Sequence, residues 1–236
     1  MTPRLMTLPG VFRPISDSRF LADVLREQTM PQGAAALDLC TGSGILAITA
    51  ALRGADDVTA VDVSRRAVWT VRLNARLNGV RVKAVRGDLF DAVGDRRFDA
   101  ITSNPPYVPS ATDELPGSGP QRAWEGGRDG RLVLDRIIER APAHLRPGGF
   151  ILLTHSSVLG TERTIAGLEA GGLEAECVAR RRGPLGPLML ERVHALEADG
   201  LLAPGQRDED VVIIRGRAAP SPRPSGARRS APAAAR

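Results

Sequence analysis

Asn104-Pro105-Pro106-Tyr107 gathers a carboxamide, two rigid rings and a phenol in four residues, and Tyr107 is the only tyrosine in the chain. A side-chain carbonyl can accept one hydrogen of a planar NH₂ group, and a neighbouring backbone carbonyl can accept the other. A phenol ring can stack on the same plane. The set suits holding an amide or exocyclic amine nitrogen for attack on an electrophilic carbon. Such a nitrogen is a poor nucleophile because its lone pair is delocalised. The available resources are orientation and acceptors aimed at the positive charge that develops on it. The plain alternative is a proline-rich turn with no chemistry, and four residues alone do not decide between the two.

These residues follow 98–103, an apolar run that reads as a buried strand. Two prolines cannot continue a central strand, because they supply no ladder N–H. The chain therefore turns at a strand end, where open α/β sheets place their chemistry. The same pattern recurs upstream. Residues 34–40 read as a strand, followed by the glycine turn Thr41-Gly42-Ser43-Gly44 and an apolar helix over 45–52. Residues 58–62 form a second strand that ends in Asp62, about 20 residues past the glycines, where a carboxylate can reach a ribose diol. Ser64 can cap the next helix, whose buried face is expected from Ala67, Val68, Val71, Leu73 and Leu77. Residues 80–85 alternate as a third strand and lead into Gly87-Asp88-Leu89-Phe90. Glycines permit close backbone approach, and the helix after Gly44 aims its N-terminus at the same place. Four strand ends with polar residues together indicate a nucleoside-containing cofactor.

Ahead of this core, 1–34 begin loosely, then Phe20, Leu21, Val24 and Leu25 recur at helical spacing, with Ser16, Asp17 or Ser18 as candidate caps. Beyond Tyr107, 108–130 turn rich in Gly, Pro, Ser and acids, and a loop of that length in a compact domain is usually functional. Helical spacing returns over 132–145. A strand at 150–154, a helix near 159–170, a strand near 173–179, a helix over 185–200 and a last strand at 211–214 follow. Strands alternating with helices predict a parallel sheet covered on both faces.

Composition narrows the partners. The 236 residues suit one domain with trimmings, and 42% apolar content supports a core although aromatics make up only 3%. The net charge of +5 comes from the tail, where Arg217, Arg223, Arg228, Arg229 and Arg236 meet no acid; without them basic and acidic residues are equal in number. A neutral body argues against a nucleic-acid binder. Cys40 and Cys177 lie far apart, and His144, His155 and His194 stand alone, so no metal site is expected. Cys40, in an apolar run, reads as a small buried thiol. No apolar run approaches membrane-spanning length and no signal peptide is visible, so a soluble, cytoplasmic protein is expected.

In order, residues 38–44, Asp62, 87–90 and Asn104-Pro105-Pro106-Tyr107 resemble the successive motifs of class I S-adenosylmethionine-dependent methyltransferases. They are most similar to the HemK type, the release-factor glutamine N5-methyltransferases. Residues 123–130 resemble that family's glycine-rich segment, and 145–149 its turn before the fifth strand; the resemblance covers about 9–180. It implies an α/β, Rossmann-like, doubly wound, seven-stranded and mostly parallel sheet with an antiparallel last strand. It implies S-adenosyl-L-methionine as cofactor. Asp38, Thr41, Gly42 and Gly44 would line its methionine and ribose portion, Asp62 with Val63 its ribose, Asp88 and Leu89 its adenine. Asn104 would serve both cofactor and acceptor, with Pro105, Pro106 and Tyr107 on the acceptor side and Asn104, Pro105 and Tyr107 in catalysis. Pro14 and Asp17 resemble a segment that closes over the cofactor, although capping serves Asp17 equally well. The implied division is 1–34 as a closing segment, 35–216 as the methyltransferase domain, and 217–236 as a disordered basic tail.

The resemblance is to the short form, without the helical domain that typical bacterial members carry ahead of the core. It implies a release-factor Gly-Gly-Gln loop as substrate and, as in eukaryotes, a possible small activator subunit. The rival acceptors are adenine N6, guanine N2, or a small molecule or peptide. The 181–210 stretch, longer than a simple hairpin, is a candidate for substrate binding.

Overall fold

The computed structural model describes residues 2–11 and 16–221. Pro14 and the tail from 222 lie outside them. Seven strands form one sheet in the order β3-β2-β1-β4-β5-β7-β6. β1 (Ala35–Leu39) pairs in parallel with β2 (Asp57–Asp62) and with β4 (Phe98–Ser103). β3 (Lys83–Arg86) extends the sheet from β2, and β5 (Leu145–Ser156) extends it from β4. β7 (Asp208–Arg217) runs antiparallel between β5 and β6 (Glu174–Pro184). The expected sheet is therefore present, with the last strand of the chain as the antiparallel one.

The two faces differ in size of side chain, as period-2 alternation requires. One face presents Leu37, Leu39, Ile101, Ile151 and Leu153 to α4 (Leu132–Arg140) and α5 (Thr161–Ala170). The other presents Ala36, Ala60 and Ala100, and so lets α1 (Ser16–Glu27), α2 (Ile45–Leu52) and α3 (Arg65–Leu77) lie close to the strands. Ser64 caps α3, its Oγ accepting from Ala67 N–H at 3.4 Å.

Several expected bounds move. β3 starts at Lys83, and Val80 instead closes the turn after α3 by bonding to Ala75. α4 stops at Arg140 and gives way to a 3₁₀ turn, Ala141–His144, because Pro142 has no N–H to continue it. β5 and β7 are longer than expected, since each pairs along the other. The single helix over 185–200 is two, α6 (Pro187–Leu190) and α7 (Val193–Ala198). Leu73 and Leu77, expected in the core, are 38% and 36% exposed. The buried stripe of α3 is instead Ala67, Val68, Thr70, Val71, Asn74 and Ala75. Nor are the first residues loose, because the amides of Asn74 and Asn78 hold the backbone of Met6 and Arg4. Ala218 and Ala219, expected in the tail, bond to Gly149 and Gly148.

Candidate active site

A cavity of about 1140 Å³ opens at the carboxyl ends of β1, β2, β3 and β4, beside the switch point where the strand order turns from β1 to β4. Pockets for single ligands usually span ~300–1,000 Å³, so this one has room for a nucleoside-sized molecule and part of a second reactant. Among the described residues no helix is long and apolar enough to cross a membrane. No group of three or more metal-binding side chains occurs among them either.

The first strand end is a braced loop. Asp38 is 1% exposed, and its carboxylate accepts from Thr41 Oγ1 at 2.5 Å, Thr102 Oγ1 at 3.0 Å and Ala47 N–H at 3.2 Å. Burial pushes its pKa up to about 7, with those donors and the Ala47 N–H pulling against the rise. Asp38 and Gly44 do not line the cavity, contrary to expectation; Cys40, Thr41, Gly42 and Ser43 do. Asp38 acts one step back, by holding the loop that forms the wall. Gly44 takes φ 83°, a conformation that side chains disfavour, and a Cβ there would stand 3.1 Å from a Val71 methyl. Cys40 corrects another expectation. It sits past the strand at φ 54°, half-buried and on the wall, rather than inside a strand.

Asp62 ends β2 with both oxygens engaged, Oδ2 by Gly42 N–H at 2.9 Å and Oδ1 by Ser64 N–H at 2.8 Å. Burial raises its pKa, while those N–H groups and the Arg122 guanidinium draw it down. Each carboxylate oxygen keeps lone-pair capacity for a hydroxyl. Val63, Asp88 and Leu89 continue the wall. Asp88 pairs with Arg136 at 2.7 Å, and Leu89 holds φ 45°. Cys40 and Leu89 are the two non-glycine residues at positive φ among those described, and both face the cavity. A left-handed conformation costs such residues about 1–3 kcal/mol, and strain of this kind collects at functional sites.

On the far side, Asn104, Pro105, Pro106 and Tyr107 all line the same cavity. Asn104 Nδ2 donates to Ser18 Oγ at 2.8 Å, which leaves Oδ1 as the atom to receive a substrate N–H. Tyr107 donates its hydroxyl to Asp17 Oδ2 at 2.5 Å. Burial, then the Asp17 charge, hold the phenol pKa well above its ordinary value, so Tyr107 keeps its proton and donates it to Asp17 in a hydrogen bond. Asp17 lies within α1 and also accepts from Arg181 at 3.2 Å. Its carboxylate is directed at the tyrosine rather than spent as a helix cap.

The glycine-rich segment has a backbone reason. Val108 N–H bonds to Trp124 O and Gly126 N–H to Val108 O, so the chain after Tyr107 is strapped to residues 124–127. A Cβ at Gly126 would stand 2.7 Å from the Pro106 carbonyl, and one at Gly130 would overlap the Tyr107 carbonyl. Arg131, 1% exposed, anchors that segment through Asp135, the Leu159 carbonyl and Thr164. The 181–210 stretch adds Pro184, Pro187, Leu188, Met189 and Glu209 to the wall and packs a small core of its own against Val108. Sequence reasoning missed Arg122, Arg131, Asn74 and Arg181, and read Ser18 only as a candidate cap. Ser18, Asn74 and Arg181 act through partners far away in the chain, and Arg131 through Asp135 four places on as well as the distant Leu159 and Thr164.

Residues 3–115 match the family model described as the methyltransferase small domain. The chain is 35% identical to a Methanocaldococcus jannaschii protein provisionally named a protein N5-glutamine methyltransferase, over 79% of this chain and 93% of that protein. It is 34% identical to the release factor glutamine methyltransferase of Geobacter sulfurreducens over 68% of this chain, but spans only 57% of that relative. Among solved structures it is similar to the E. cuniculi Mtq2–Trm112 complex, described as responsible for methylation of the termination factor eRF1. The TM-score is 0.59 at 25% identity, covering 89% of this chain and 99% of that one.

Proposed function

The chain belongs to the protein N5-glutamine methyltransferase family, and we propose that its acceptor is the glutamine side chain of a release-factor Gly-Gly-Gln loop. S-adenosyl-L-methionine is the cofactor. When bound, it supplies an electrophilic methyl group on a sulfonium. The residues present fit it: a glycine loop at Thr41 and Gly42, a carboxylate at Asp62 for a diol, and Val63, Asp88 and Leu89 along the wall beyond. The observation that carries the acceptor reading is Asn104, whose amide nitrogen is spent on Ser18.

In this reading Asn104 Oδ1 and the Pro105 carbonyl accept the two hydrogens of the substrate amide and turn its nitrogen toward the methyl group. As the methyl group passes to that nitrogen, the N–C bond would form while the methyl–sulfur bond breaks and its electron pair returns to the sulfur; positive charge then grows on the nitrogen, and the two acceptors would stabilise it. One N–H proton leaves to solvent afterwards. The Tyr107 ring supports the plane, and the Asp17 bond fixes that ring. Glutamine rather than a base is supported by the wall near Tyr107. Pro184, Pro187, Leu188 and Met189 are apolar, Glu209 is acidic, and Asp17 is paired with Arg181, so this wall offers no excess of positive charge to a phosphate backbone.

A second reading, methylation of a nucleic-acid amine, draws on α3 and β3. Arg65, Arg66, Arg72, Arg76, Arg81, Lys83 and Arg86 occur there with no acid between Val63 and Gly87. The neutral total hides that face. It also bears exposed Trp69, Leu73 and Leu77 beside the free edge of β3, which suits a small activator subunit like that of the E. cuniculi complex. A cytoplasmic setting belongs to the same proposal. The deciding experiment gives the protein, with and without such a subunit, a methyl-labelled cofactor, a release factor and a DNA–RNA mixture. Label on the Gly-Gly-Gln glutamine is expected; label on nucleic acid alone would sink the proposal.

A further inference from the structure

α3 buries a carboxamide where a helix facing a core would place an aliphatic side chain. Asn74 is 0% exposed. Its Oδ1 accepts from Met6 N–H at 2.8 Å, and its Nδ2 donates to the Met6 carbonyl at 2.8 Å. One turn later Asn78 does the same for Arg4, accepting at 2.8 Å and donating at 2.7 Å. The spacing is why this works. Four residues of helix rise ~6.0 Å, and two residues of extended chain span ~6.6 Å. Two amides on one helical stripe thus imitate the edge of a neighbouring strand, and residues 4–6 pair with α3 as if with a sheet.

Asn74 has one further bond. Its Nδ2 also donates to the Ser43 carbonyl at 2.9 Å, in the glycine loop. Ser43 lines the cavity. The segment that Asn74 holds runs on to Pro9, whose carbonyl meets Arg66, and then to Gly10 and Val11, which also line the cavity. One buried carboxamide therefore fastens two separate walls. A side chain kept only for stability would have no reason to join these two segments in particular.

We propose that Asn74 is a positioning residue for the cofactor site, locking residues 2–11 and the glycine loop into one enclosure, with Asn78 as its helper. The proposal rests on the cavity being the cofactor site. Linkage then makes the effect reciprocal: what closes the segment tightens binding, and binding closes the segment.

The test measures S-adenosylhomocysteine affinity by calorimetry and tryptic cleavage after Arg4, for the full chain and for Asn74→Ala and Asn78→Ala. Loss of the Asn74 bonds is expected to weaken binding about tenfold, and loss of the Asn78 pair about threefold. In the parent protein the ligand is expected to slow cleavage after Arg4, and in Asn74→Ala to have little effect on it. Parent-like affinity in Asn74→Ala, or cleavage indifferent to ligand in the parent, overturns the proposal. Should Asn74→Ala fail to fold, Asn78→Ala decides alone, since parent-like affinity and protection there refute the coupling. No binding by the parent protein overturns the cofactor reading as well.

Discussion

On the donor side of the cavity, the side-chain partners are nearer in the chain. Asp62 bonds to a residue two places on and to the glycine loop 20 places back, Asp38 to Thr41 three places on and Thr102 64 places on, and Asp88 to Arg136 48 places on. On the acceptor side the partners are remote: Asn104 and Ser18 are 86 residues apart, Tyr107 and Asp17 90, and Arg181 and Asp17 164. A site that binds a constant small molecule can be encoded in short motifs on one sheet edge. The other half of the cavity is assembled from distant segments, and its geometry depends on the whole fold.

If the halves are distinct, they separate on mutation. Asn104→Ala is expected to cut transfer by about 10²–10³, the cost of removing a donor or acceptor aimed at developing charge, while the cofactor dissociation constant stays within about twofold. Radiolabel transfer and calorimetry on the same preparation check both parts. The opposite split is expected of Asp62→Ala. Cofactor affinity falls by about tenfold or more through loss of charge-assisted bonds, and the rate at saturating cofactor largely survives. Equal loss of binding and rate in both variants would break the comparison.

Gly130→Ala tests whether the acceptor side depends on close backbone approach. The side chain would meet the Tyr107 carbonyl at a φ of 73°, so transfer is expected to fall more than cofactor affinity. Tyr107→Phe removes one buried bond to Asp17, and a fall in kcat of about fivefold is expected. An unaltered kcat would confine that bond to stability.

The smallest effect concerns pH and the donor side alone. Asp38 titrates about 7 in the fold and 3.8 as an ordinary side chain, so between those values the folded state holds the extra proton. Stability contributed by this group is therefore greatest in acid and is lost as pH rises through that window. Asp38→Asn is expected to flatten that slope in thermal unfolding. His155, buried and lowered to about 4, works in the opposite sense and costs stability as pH falls below its ordinary value of 6.5.

The same contrast explains what could be read in advance. The alternation of strands and helices, the glycine turn and the four strand-end residues follow from local patterning, and the cavity walls include Thr41, Gly42, Asp62, Asp88 and Asn104. An acid next to a glycine loop reads as a ligand, whereas the Asp38 carboxylate is buried behind the cavity wall and engaged by Thr41, Thr102 and Ala47. Leu73 and Leu77 misled because helical periodicity gives the count of apolar positions but not which stripe faces inward, and here Asn74 holds the inward one. Arg181 gave no local signal, since its partner Asp17 lies 164 residues away, while Ser18, read only as a candidate cap, and Arg131 take their roles from Asn104 and from Leu159 and Thr164, which arrive from elsewhere in the chain.

The antiparallel β7 has a consequence for how such a protein could diversify. β6 reaches the carboxyl edge of the sheet and β7 starts back from it, so residues 185–207 form an appendage whose two stems are locked together by their own ladder. Its contents can lengthen, shorten or be exchanged with no strand of the parallel sheet changing register. A lineage, or an engineer, can vary the stretch of cavity wall that this one cassette supplies and leave the strand ends of the parallel sheet intact.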